Sequence, residues 1–89
     1  MIMKMFSCYD SKAEAYMQPF FMNAKGQALR AFADLVNDGQ SQFSKHPEDF
    51  VLFELGEYDD QTGQVVSLAA PMSLGVGVEF KEGGVNGQE

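Results

Sequence analysis

Three lysines and two tyrosines are the residues of this chain that could do chemistry together. Lys12, Lys25 and Lys45, with His46, fall in or beside connections, and Tyr9, Tyr16 and Phe43 are close to them in sequence. Aromatic rings flanked by lysines can stack unpaired bases while the ammonium groups neutralise phosphate. Lys12, Lys25, Lys45, Tyr9 and Tyr16 are therefore the candidate nucleic-acid-binding residues. The plainer reading is separately solvated lysines and aromatics consumed by the core, and composition alone favours it.

The other reactive side chains make weaker sets. His46, followed by Pro47, is the only histidine and by itself completes neither a triad nor a metal cluster. Cys8 has no His or Cys near it in sequence and reads as a small core residue. Asp59 and Asp60 lack the spaced oxygens and terminal bidentate Glu of a calcium loop, and a hairpin turn accounts for them. Glu54 and Glu57 could act as an acid–base pair only inside a cleft, which nothing in the pattern announces. Gly75-Val76-Gly77 lacks the third Gly and the following helix of a phosphate-binding loop. The chain is expected to be non-enzymatic, with no cofactor and no metal site.

The elements that must position these residues are legible in the apolar spacing. Ala28, Leu29, Phe32, Leu35 and Val36 recur at three-and-four intervals, which predicts one helix over Ala24 to Asn37. Asn23 is placed to cap its first free amides and Gly39 to end it in the left-handed conformation. Ile2 to Tyr9 reads as a strand apolar on both faces, the pattern of a central strand. Ala13 to Met22 admits two conformations. Ala13 to Tyr16 could start a helix, but Pro19 and the run Phe20-Phe21-Met22 favour a second strand over about Tyr16 to Met22. The strongest strand signal is Phe50 to Leu55, where Val51, Phe53 and Leu55 share one face and Phe50 and Leu52 the other. Asp59 to Gly63 predicts a hairpin turn, with Gln64 to Leu68 returning as its partner until Pro71 stops it. Ser73 to Phe80 reads as a short further strand.

The expected fold class is α+β: a small β-β-α-β-β domain over residues 1–80, one helix packed on an antiparallel sheet of four or five strands. Residues 81–89, with three Gly and few anchors, read as a flexible tail. One helix covers one face of such a sheet, so the apolar residues of the other face call for a second covering surface, and a homodimer or higher homo-oligomer is expected.

Charge bears on partners. The net charge is −7 over 89 residues. Residues 1–33 carry four basic and two acidic groups, whereas residues 34–89 carry two basic and eleven acidic. Non-specific DNA binding rests on phosphate neutralisation by Lys and Arg, for which this is poor material. The composition favours a protein partner. A lone cysteine fits a reducing compartment, the opening MIMKMFS is not expected to be a secretory signal, and no window approaches the ~20 apolar residues of a membrane span.

The strings Tyr9-Asp10-Ser11-Lys12-Ala13 and Pro19-Phe20-Phe21 resemble the first half of the small nonstructural protein of gokushoviruses, tail-less single-stranded-DNA phages of the Microviridae. Phe43-Ser44-Lys45-His46-Pro47-Glu48-Asp49-Phe50 and Leu52-Phe53-Glu54-Leu55-Gly56-Glu57 are similar to its most recognisable segment. Asp59-Asp60-Gln61-Thr62-Gly63 and Ser73-Leu74-Gly75 continue the resemblance, which spans about residues 6 to 80 and contains no catalytic motif. It implies a non-capsid bacteriophage protein of the host cytoplasm, described as DNA-binding or as acting where duplex replication gives way to single-strand synthesis and packaging. No site residue comes with it. Two functions stand side by side. One is a non-enzymatic regulator of phage DNA replication that contacts single-stranded DNA through the basic first third. The other is an acidic interaction module for a phage or host replication protein, built on the eight acids between Asp34 and Asp60.

Overall fold

The computed structural model describes residues 1–82. From residue 83 on, the expected tail lies outside them. Strand β1 (Ile2–Asp10) is followed by two short strands, β2 (Ala15–Tyr16) and β3 (Phe20–Met22), then by helix α1 (Lys25–Val36) and a single helical turn, α2 (Gln42–Lys45). A 3-10 turn at Pro47–Asp49 leads into β4 (Phe50–Asp59), which pairs through a hairpin with β5 (Val65–Val76), and a second 3-10 turn spans Gly77–Phe80.

The sheet is antiparallel in the order β2-β1-β4-β5, with β3 also paired to β1. The class is thus α+β, a main helix on a sheet of five strands. β1 is central, as its two apolar faces require. The expected second strand exists in two pieces along one edge of β1. Tyr9 faces Tyr16 at one end and Phe6 faces Phe20 at the other, a register that slips by one residue around Pro19. Proline offers no amide to the ladder, so an edge tolerates it where a central strand would not. Buried Ser7 spans the interruption, its Oγ donating to the Met17 carbonyl at 2.6 Å.

The last two expected strands are one. β5 runs through Pro71 to Val76 because residues 68–71 loop out opposite Leu55, between the pairs Gly56↔Ser67 and Glu54↔Met72. Pro71 is accommodated in this bulge on a sheet edge instead of ending the strand. Residues 77–80 are 3-10 backbone and not strand.

Alternation on β4 puts Phe50, Leu52 and Glu54 toward α1. The core is Phe6 and Cys8 of β1, Phe50 and Leu52 of β4, and Ala28, Phe32 and Val36 of α1. Phe43 of α2 closes one end, with its ring 4.6 Å from that of Phe50 and 6.1 Å from that of Phe32. The helix start differs from expectation: Ala24, not Asn23, is the cap residue. Gln27 reaches back so that its Oε1 accepts from the amides of Asn23 and Ala24 at 3.0 and 3.3 Å. Gly39 does take positive φ, at 77°. At the helix end Asn37 donates to the carbonyls of Ala33 and Phe80, and Lys81 Nζ donates to the carbonyls of Val36 and Ser44. A cation there meets the negative end of the helix dipole.

Candidate nucleic-acid interface

The face of the sheet turned away from α1 carries Met3, Met5, Ser7 and Tyr9 from β1, because these alternate with the core residues Phe6 and Cys8. Tyr9 lies opposite Tyr16 across β1–β2, while Ser7 lies opposite Phe53 across β1–β4. Direct and diagonal neighbours across antiparallel strands are within reach of aromatic side chains. The three rings accordingly form a cluster: Tyr9–Tyr16 centroids are 4.9 Å apart, Tyr16–Phe53 5.4 Å and Tyr9–Phe53 6.5 Å, all edge-on. Tyr16 is 45% exposed. At the far end of the same face Phe21 and Tyr58 form a second pair, 5.4 Å apart.

Lys12 belongs to the turn that joins β1 to β2, at the same end of the sheet as the Tyr9–Tyr16 pair, where it is exposed and lines a cleft with Asp10, Gln42, His46, Glu48 and Asp49. Asp10 builds that turn, its Oδ1 accepting from the amides of Lys12 at 3.0 Å and Ala13 at 3.3 Å. Ser11 fastens it to the Asp49 carbonyl through both its amide and its hydroxyl. Glu14 takes positive φ, at 57°. The cation therefore stands among carboxylates, which limits its pull on a polyanion.

The five candidates do not form one patch. Tyr9, Tyr16 and Lys12 share one end of the sheet. Lys45 ends α2, whose Phe43 packs into the core, so it lies in the helical layer. Lys25 opens α1 just after β3, which pairs with Lys4 to Phe6, the opposite end of β1. The six steps from Lys4 to Asp10 span roughly 20 Å of strand. Phe53 is the member that sequence reasoning missed, since only the β1–β4 register brings it to Tyr9.

The remaining reactive groups find structural explanations. Cys8 is buried, and burial pushes its thiol up to about 11, which withholds the thiolate at neutral pH. Glu54, 8% exposed, and Glu57 have Lys4 Nζ between them, at 3.8 and 4.0 Å. His46, Glu48 and Asp49 hold ligand atoms within 4.8 Å of one another on the 3-10 turn. His46 judged alone hides this grouping, whose signal is the string His-Pro-Glu-Asp. The group lies on the surface, in a shallow cleft that also takes Lys12, and a cation there would face that ammonium.

Among the described residues no helix is long and apolar enough to cross a membrane. A family model described as "Phage ORF5 protein" matches residues 3–80. No curated protein and no solved structure matches the chain.

Proposed function

Since the chain belongs to the Phage ORF5 protein family, we propose that it is a non-enzymatic regulator of phage single-stranded-DNA synthesis or packaging that touches the single strand with the aromatic end of its open sheet face. Family membership supports a phage protein, and the gokushovirus-like strings support a single-stranded-DNA phage and work in the host cytoplasm. The observation that carries the DNA contact is the Tyr9–Tyr16–Phe53 cluster, whose Tyr16 is exposed, at the end of the sheet where the Lys12 turn lies. Every base has a π-face, so stacking is tolerant of sequence and contributes roughly 1–3 kcal/mol per base, whereas duplex bases are already stacked and offer no such face. Lys12 is the candidate lysine in the turn that follows Tyr9, and it lies among Asp10, Glu48 and Asp49, so phosphate contacts are few. Binding is weak, with a shallow salt slope.

The test is a fluorescence-anisotropy titration of labelled single- and double-stranded oligonucleotides at low and at about 150 mM salt. The expected result is preference for the single strand, loss of most binding at the higher salt, and about tenfold weaker binding by Tyr16→Ala, the equivalent of ~1.4 kcal/mol. Equal binding of duplex, or an unchanged Tyr16→Ala variant, contradicts the reading.

One observation favours the second function. Asp34, Asp38 and Glu48 are exposed on the helical layer, opposite the aromatic face. Lys25, Arg30 and Lys45 are exposed there as well, so that side suits a protein surface of mixed charge better than a polyanion. Recovery of the same partner from infected cells with and without nuclease treatment would favour it, and loss of that partner on nuclease treatment would favour DNA contact.

A further inference from the structure

Between the edge strand β3 and helix α1 runs an open groove of about 780 Å³. Met3, Phe21 and Met22 form its apolar side, while Ala31, Arg30 and Asp34 of α1 form the other. We propose that a second copy of this chain docks in this groove, helix α1 against helix α1 across a two-fold axis, with Arg30 of each copy facing Asp34 of the other. This surface lies at the opposite end of β1 from the Tyr9–Tyr16–Phe53 cluster, so it extends the proposed function without depending on it.

Three features select a copy of the chain as the occupant. A two-fold interface must be self-complementary, residue i meeting j while j meets i. One cation and one anion a helical turn apart on the groove wall satisfy that condition for antiparallel helices. Within the chain the pair is in its weaker orientation, the base N-terminal to the acid. Among the described residues Arg30 and Asp34 form no ion pair with each other or with any other group, so both are free to reach across. Ala31 lies next to Arg30 and adds little bulk, and nothing stands within 4 Å of a Cβ placed on Gly26, so the helix can be approached closely. The third feature is the uneven charge. The charged side chains that line the groove are Arg30 and Asp34, which cancel, so the groove carries none of the remaining acidic excess of residues 34–89. Two chains of net charge −7 meet there with the least repulsion.

A helix of this length is only about 18 Å long. Its crossing with a copy falls toward the small end of specific interfaces, below about 1,200 Å² in total, which gives reversible association.

The experiment is sedimentation equilibrium of the full chain from about 5 to 200 µM at low ionic strength, a range that brackets reversible micromolar binding. Wild type is expected to shift from monomer to dimer within it. Arg30→Asp gives a chain with acids at both positions, and Asp34→Arg one with bases at both. Each alone is expected to self-associate at least tenfold more weakly, while an equimolar mixture regains dimer as a heterodimer. An intrahelical role for Arg30 and Asp34 cannot produce that recovery. Circular dichroism checks that the variants, altered only at exposed positions, keep the helix. A wild type that stays monomeric leaves the groove to some other occupant and overturns the proposal. So does a mixture that stays monomeric, or a single variant that dimerises as wild type does.

Discussion

Cys8 and Phe32 meet the same core from its two layers, and each has a measurable consequence. The folded thiol keeps its proton until about 11, against 9.0 for an unburied thiol. Between those values the unfolded chain binds fewer protons than the folded one, so stability falls as pH rises through the window. Thermal melts from pH 8 to about 11 should fall more steeply for wild type than for Cys8→Ala; identical slopes would mean that the thiol is not buried. Phe32 is wholly enclosed, its ring 5.3 Å from Phe80 and 6.1 Å from Phe43. Phe32→Ala should cost roughly 3–5 kcal/mol in urea unfolding, most of what a small domain has. An unchanged midpoint would place the ring outside the core. Phe32 was legible because its neighbours at three-and-four spacing are apolar too. The Tyr9–Tyr16–Phe53 cluster was legible only in part. Tyr9 and Tyr16 flank a turn, but Phe53 lies far along the chain and joins them through strand register, which single-residue spacing does not encode.

At the scale of elements, the helix, the central β1 and the β4–β5 hairpin follow directly from period and turn chemistry. Gly63 at φ 76° closes the hairpin, with its amide donating to the Asp59 carbonyl at 2.8 Å. Pro71 misled because proline signals a strand end only where its missing amide would leave a neighbour unpaired; on these edge strands Pro19 marks an interruption and Pro71 a bulge. The bulge at residues 68–71 has a tight counterpart in β4. A Cβ on Gly56 would collide with the Val66 carbonyl oxygen. Gly56→Ala should therefore destabilise the hairpin by roughly 1–3 kcal/mol, as overpacking generally does, with the loss of protection in hydrogen exchange concentrated in Val65 to Ser67. Uniform loss across α1 as well would mean that the hairpin does not open independently. The 3-10 turns and α2 were not legible, since four residues are too few to express a period. They matter because Phe43 and Phe80, which they carry, cover the helix end of the core.

At the scale of the molecule, the fold is elongated, 49 × 25 × 21 Å, with a helical layer on one side and a ring-bearing sheet face on the other. Lys12 shares its cleft with Asp10, Glu48 and Asp49, so the proposed contact with DNA would draw on stacking more than on charge. The most direct measurement is an NMR titration of the folded chain with a short oligothymidylate, about six nucleotides, within the usual site size of a single-strand-binding surface. The resonances of Tyr9, Lys12, Tyr16 and Phe53 should shift together and saturate, while those of Phe32, Arg30 and Asp34 stay still. Shifts confined to α1, or none at the three rings, would contradict the assignment of the open sheet face to single-stranded DNA.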